Sequence, residues 1–62
     1  MSKVHIFIGN ESFVVLAFPP YYLHVYRERE MPESRPREFF WPEDLDVEEA
    51  AQEVARKVHY NL

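Results

Sequence analysis

Val4, Ile6 and Ile8 alternate with His5 and Phe7, and a second apolar run extends from Phe13 to Phe18. Alternation of this kind is the period of a strand, and Gly9-Asn10 between the runs supplies the positive-φ residues that a tight hairpin turn needs. The pattern predicts strands over about 3–8 and 12–18. Pro19-Pro20 then removes two N–H donors from any ladder, and the β-favouring run from Tyr21 to Arg27 predicts a third antiparallel strand over about 21–27. Alternating charges from Arg27 to Glu30 carry the chain into solvent. Pro32, Pro36 and Pro42 divide a connector over 28–44 into short extended pieces. Within it Phe39, Phe40 and Trp41 stand in succession, which suits a short fourth edge strand or an anchor packed on the sheet.

The last segment has helical spacing and its punctuation in order. Asp46 can cap, Glu49 three residues on completes a capping box, and Leu45 can pack onto Ala50, so a helix is expected over about 47–60. Val47, Ala50, Ala51, Val54, Ala55 and Val58 fall on one stripe. Glu48, Glu49, Gln52, Glu53, Arg56 and Lys57 fall on the other. The expected fold class is α+β, with a three-stranded antiparallel sheet, or a four-stranded one if the aromatic connector pairs, and one C-terminal helix on one face. The whole chain, 1–62, reads as one small domain.

An even-numbered first turn sets Val4, Ile6 and Ile8 beside Phe13, Val15 and Ala17 on one face, and His5 and Phe7 beside Val14, Leu16 and Phe18 on the other. An even loop at Pro19-Pro20 would add Tyr22, His24 and Tyr26 to the first face and Tyr21, Leu23 and Val25 to the second. Both faces come out apolar, and one helix covers only one of them. A second apolar contact is therefore expected, made by the connector aromatics folding back, by a second copy, or by a target.

Length sharpens this expectation. A chain of 62 residues buries only about 60% of its unfolded surface and is marginal on its own core. With no cysteine, neither a disulfide nor a thiolate zinc site can supplement it. Composition is that of a folding chain, 47% hydrophobic and 16% aromatic with one glycine. No apolar run reaches signal-peptide or membrane-spanning length, so a cytoplasmic protein is expected.

Chemistry is sparse. There is no Cys or Thr, and Ser2, Ser12 and Ser34 lack a glycine elbow, which argues against a nucleophilic enzyme. Gly9 is the only glycine, so no phosphate-cradling loop can form. His5, His24 and His59 have no metal-ligand spacing, and Asp44, Asp46 and Glu48 lack the pattern of a calcium loop. A non-enzymatic protein without metal or cofactor is expected.

The charge distribution says more. Net charge is -4, which disfavours direct contact with nucleic acid or an anionic membrane and favours a basic partner. Residues 1–42 are balanced, whereas 43–53 hold Glu43, Asp44, Asp46, Glu48, Glu49 and Glu53 with no base. Capping and the helix dipole account for Asp46 and Glu49. Glu43, Asp44, Glu48 and Glu53, flanked by Phe39, Trp41, Tyr22 and Tyr26, form the expected partner-binding set: acids that steer and aromatics that anchor. The function so implied is an inhibitor or regulator that imitates nucleic acid on a basic surface of a nucleic-acid-processing complex. In size and acid bias the chain is similar to small phage-encoded inhibitors, anti-CRISPR proteins among them, a likeness of composition that carries over no residue. The competing reading is a structural homodimerisation module, antitoxin-like or regulatory, joined through the surplus sheet face.

Overall fold

The computed structural model describes residues 1–61. Four strands, β1 (Ser2–Ile8), β2 (Glu11–Phe18), β3 (Tyr22–Arg27) and β4 (Arg37–Phe40), form one antiparallel sheet in the order β1-β2-β3-β4. The helix α1 (Val47–His59) follows, and a single 3₁₀ turn, Glu28–Glu30, leaves the end of β3. The connector aromatics do pair, so the sheet has the fourth strand. Ile8 pairs with Glu11, leaving Gly9 and Asn10 as a two-residue turn, and Gly9 takes the positive φ of 61° that a side chain would resist.

The second hairpin departs from the expected parity. Phe18 pairs with Tyr22, so three residues, Pro19, Pro20 and Tyr21, make the turn, with the Tyr21 N–H donating to the Phe18 oxygen at 2.8 Å. The Pro19–Pro20 bond is cis. One residue more than an even loop flips every side chain of β3. Leu23 and Val25 therefore join Phe13, Val15 and Ala17, and Tyr22, His24 and Tyr26 lie with Val14, Leu16 and Phe18. The reassignment gives the sheet one thoroughly aliphatic face and gathers most of its aromatics on the other.

Helix α1 lies on the aliphatic face. Ala50, Ala51, Val54, Ala55 and Val58 pack with Ile6, Phe13, Val15, Ala17, Leu23 and Val25 in one buried cluster. Three alanines on the buried stripe let the helix backbone approach the sheet closely. Asp46 caps it as expected: its carboxylate accepts from the Glu49 N–H at 2.8 Å and the Glu49 carboxylate from the Asp46 N–H at 3.5 Å. The last helical residue is His59, one short of expectation, with the Tyr60 N–H still bonded to the Arg56 oxygen.

Strand β4 closes the edge of the core. Phe39 and Trp41 pack half-buried against the cluster, and the Trp41 indole N–H donates to the Leu45 oxygen at 2.9 Å. Phe40 between them points the opposite way and is 91% exposed. The three connector aromatics thus do not fold over the second sheet face. Two complete the first face and one extends the second.

Candidate interaction surface

The face away from α1 is built in cross-strand rows. Pairing across the sheet sets Phe18, Tyr22 and Phe40 in one row, Lys3, Leu16, His24 and Glu38 in the next, and His5, Val14 and Tyr26 in a third. Helix α1 packs on the other side of the sheet, and at the far end of this face the Ser12 hydroxyl donates to the Glu28 carboxylate of the 3₁₀ turn. Phe7 at the far end is 71% exposed. The side chains partly cover one another: Phe18 stacks on Tyr22 at 4.8 Å and Tyr22 on His24 at 5.1 Å between ring centroids. Val14 at the centre is only 3% exposed although it is outside the helix-side cluster. Offset stacks of this kind contribute beyond their buried area, so the rings form a preordered platform rather than a set of loose side chains.

Polar groups on this face are few. His24 Nε2 lies 3.0 Å from Glu38 Oε2, but it is turned away from hydrogen-bond alignment, so the contact is one of proximity between an imidazole and a carboxylate. A shallow depression of about 210 Å³ lined by Tyr22, Glu38, Phe39 and Phe40 sits at the β4 edge.

The residues singled out by sequence are divided by the sheet. Tyr22 and Tyr26 lie on the open face, half-buried or better exposed. Phe39 and Trp41 lie on the helix side, within the core margin. Arg37 and Lys57 stand over the Phe39 ring at 5.0 and 6.0 Å from its centroid, so basic side chains occupy that aromatic surface. Glu43, Asp44 and Glu48 are exposed around the start of α1, and none has an ion pair among the described residues. Glu53 is half-buried and faces Arg56 at 3.8 Å, and it shares a surface hollow with Glu43 and Lys57. Glu43 and Glu53 are thus brought to one hollow, and the tyrosines lie on the opposite face of the sheet from the helix.

Two features escaped the sequence reading. One is Phe40 and Phe7 as the most exposed rings of the open face, legible only once the parity of each strand is known. The other is Glu11. It stands at the start of β2 on the helix side, and its carboxylate receives Nδ1 of His59 at 2.9 Å, Nε of Arg27, and, more distantly, Arg29 at 3.5 Å. The hydrogen bond from His59 chiefly, with Arg27 and Arg29 adding, holds the Glu11 carboxyl below its ordinary range in spite of partial burial. Its signal in the sequence is one acid standing in register with the aliphatic face.

Among the described residues no group of three or more His, Cys, Asp or Glu side chains could hold a metal ion, and no helix is long and apolar enough to cross a membrane. Compared with known proteins, the sequence matches no family model, and neither a curated protein nor a solved structure matches it.

Proposed function

We propose that this chain is a non-enzymatic homodimerisation module, in which two copies stack their open sheet faces into a helix–sheet–sheet–helix particle. The observation that carries this reading is the uncovered aromatic face itself. Four strands about 4.8 Å apart, with rows over about 20 Å of strand, give a plan area of order 400 Å². A patch of that extent is often functional, and a sheet with exposed aromatics on the face away from its helix is suited to be half of a further layer. Covering it with a second copy adds burial to a core that is small in a chain of 62 residues.

The face suits a second copy because its rows are self-complementary. A two-fold axis parallel to the strands, between β2 and β3, lays β1 over β4 of the second copy and β2 over β3. Phe18 then meets Tyr22, and Val14 meets Tyr26, at every level twice. Isologous contact of this sort closes at two chains and leaves no free face to propagate.

The test is sedimentation equilibrium from 1 to 500 μM with the unaltered chain and with Tyr22→Ser plus Phe40→Ser. A concentration-dependent dimer that the double substitution converts to monomer, with an unchanged far-UV spectrum, is the expected result. A monomer throughout the range for the unaltered chain overturns the reading.

A second reading follows from Glu43, Asp44 and Glu48, exposed and unpaired among the described residues. In it the acidic helix start docks on a basic protein surface of a nucleic-acid-processing complex. The dimer would display two such starts on its outer sides, and bivalent docking gains from effective concentration. Replacing Glu43, Asp44 and Glu48 by Lys would then release a salt-sensitive partner without changing the dimer.

A further inference from the structure

Resting on the homodimer reading, we infer that Lys3 of one copy and Glu38 of the other form the charge pair that fixes the orientation of the two sheets. The row Lys3, Leu16, His24, Glu38 carries its charges at opposite edges, basic on β1 and acidic on β4. Lys3 has no ion pair within its own chain among the described residues. The Glu38 side chain is 71% exposed although it sits beside His24. Both charges stand on the open face at one level of the strands.

Two ways of stacking the faces with their strands aligned are compatible with two-fold symmetry, and the charges separate them. An axis parallel to the strands places β1 over β4 of the second copy at the same level, so Lys3 faces Glu38 twice. An axis across the strands places β1 over β1, which brings Lys3 and His5 of each copy together at the basic edge and leaves both Glu38 carboxylates without a cation. Aligned sheets pack about 10 Å apart, a gap that a lysine and a glutamate span from opposite sides. The same row lays Leu16 over His24 of the second copy, covering the imidazole with an aliphatic group. Charges at the rim of an apolar contact set orientation and exclude wrong pairings more than they add affinity.

The inference is tested by charge reversal and by mixing. Lys3→Glu alone and Glu38→Lys alone should each weaken the dimer about tenfold at low salt, since two attractive pairs become two repulsive ones. The double variant K3E/E38K should restore the dimer to within about twofold, and an equimolar mixture of the two single variants should form the mixed dimer in preference to either homodimer, read by native mass spectrometry. Both effects should fade in about 0.5 M salt. Far-UV spectra and thermal midpoints at monomer concentrations check that each variant folds. Where either substitution unfolds the chain, Lys3→Gln and Glu38→Gln replace the reversals and should weaken the dimer without favouring the mixed species. A dimer whose affinity ignores both reversals, or a mixture that pairs at random, overturns the orientation and leaves the homodimer reading standing. A chain that stays monomeric at every concentration overturns both.

Discussion

Arg27 Nη2 donates to the main-chain oxygen of Val58 at 2.9 Å while Nε of the same guanidinium serves the Glu11 carboxylate. Only a planar, forked donor can satisfy both acceptors from one side chain. The contact ties the end of β3 to the last turn of α1, and Glu11, which also receives His59, draws in the start of β2. A single polar cluster thus joins three elements at the end of the sheet, beside the buried Phe13 ring, whose centroid lies 6.2 Å from that of His59. Replacing Arg27 by Met should cost about 1–3 kcal/mol of stability, because it strips a largely buried carboxylate of its main cation and removes the side-chain donor to Val58, whose oxygen keeps only the Asn61 N–H at 3.1 Å and the Tyr60 N–H. Lys at this position should recover less than half of the loss. Urea denaturation of the three proteins, monitored by tryptophan fluorescence, measures both numbers.

The Glu11 carboxyl is held below its ordinary value of 4.5 in the folded chain. A carboxylate whose folded pKa is depressed stabilises the fold above the unfolded value and loses that contribution as pH falls through the folded one. The thermal midpoint should therefore drop as pH is lowered below about 4.5. In Glu11→Gln the midpoint should start lower at pH 7 and fall less over the same range, so that the two curves converge in acid. Parallel curves would show that other carboxylates control acid unfolding.

Phe13 is fully buried in the helix-side cluster, and Phe40 projects from the other side of the same sheet. Phe13→Ala should cost about 3–5 kcal/mol, the loss of a ring plus the cavity it leaves. Phe40→Ala should stay within about 0.5 kcal/mol at concentrations where the chain is monomeric. Under the homodimer reading, Phe40→Ala should also become destabilising at high concentration, because unfolding would then be linked to dissociation. Thermal scans of both variants at 1 and 500 μM separate the two contributions.

Asp46 accepts from the Glu49 N–H and begins α1 in an extended backbone conformation. Asp46→Ala should cost about 1 kcal/mol, and Asp46→Asn nearly nothing, since Asn supplies the same acceptor oxygen. Hydrogen exchange at the first turn of the helix should rise in the Ala variant alone. Uniform exchange across the helix in that variant would place its cost elsewhere.

What the sequence made legible was local. Gly9-Asn10 fixes the first hairpin within two residues, and Asp46 with Glu49 fixes the start of α1 within three, so no distant information is needed. The second hairpin is different. Whether Tyr21 belongs to the turn or to the strand is a matter of one residue, yet it decides which side of the sheet receives Leu23 and which receives Tyr22. Phe39, Phe40 and Trp41 pose the same problem, since adjacent residues of a strand point apart and three aromatics in a row cannot form one patch. The Glu11 cluster brings together positions 11, 27 and 59, whose proximity exists only after the sheet and helix have docked.

The Gly9 turn lies against His59: a β-carbon added at Gly9 would sit 3.8 Å from the imidazole. The carboxyl end of the helix therefore leaves the molecule beside the first hairpin, at the corner reached by Ile8 and Glu11, whereas β1 begins at the opposite end of its strand, near Ala17. A fluorophore or affinity handle appended after the helix would project away from the Phe18, Tyr22 and Phe40 row, and one appended before β1 would emerge next to it. Under the homodimer reading, a label placed before β1 should thus obstruct assembly and one placed after α1 should report on it.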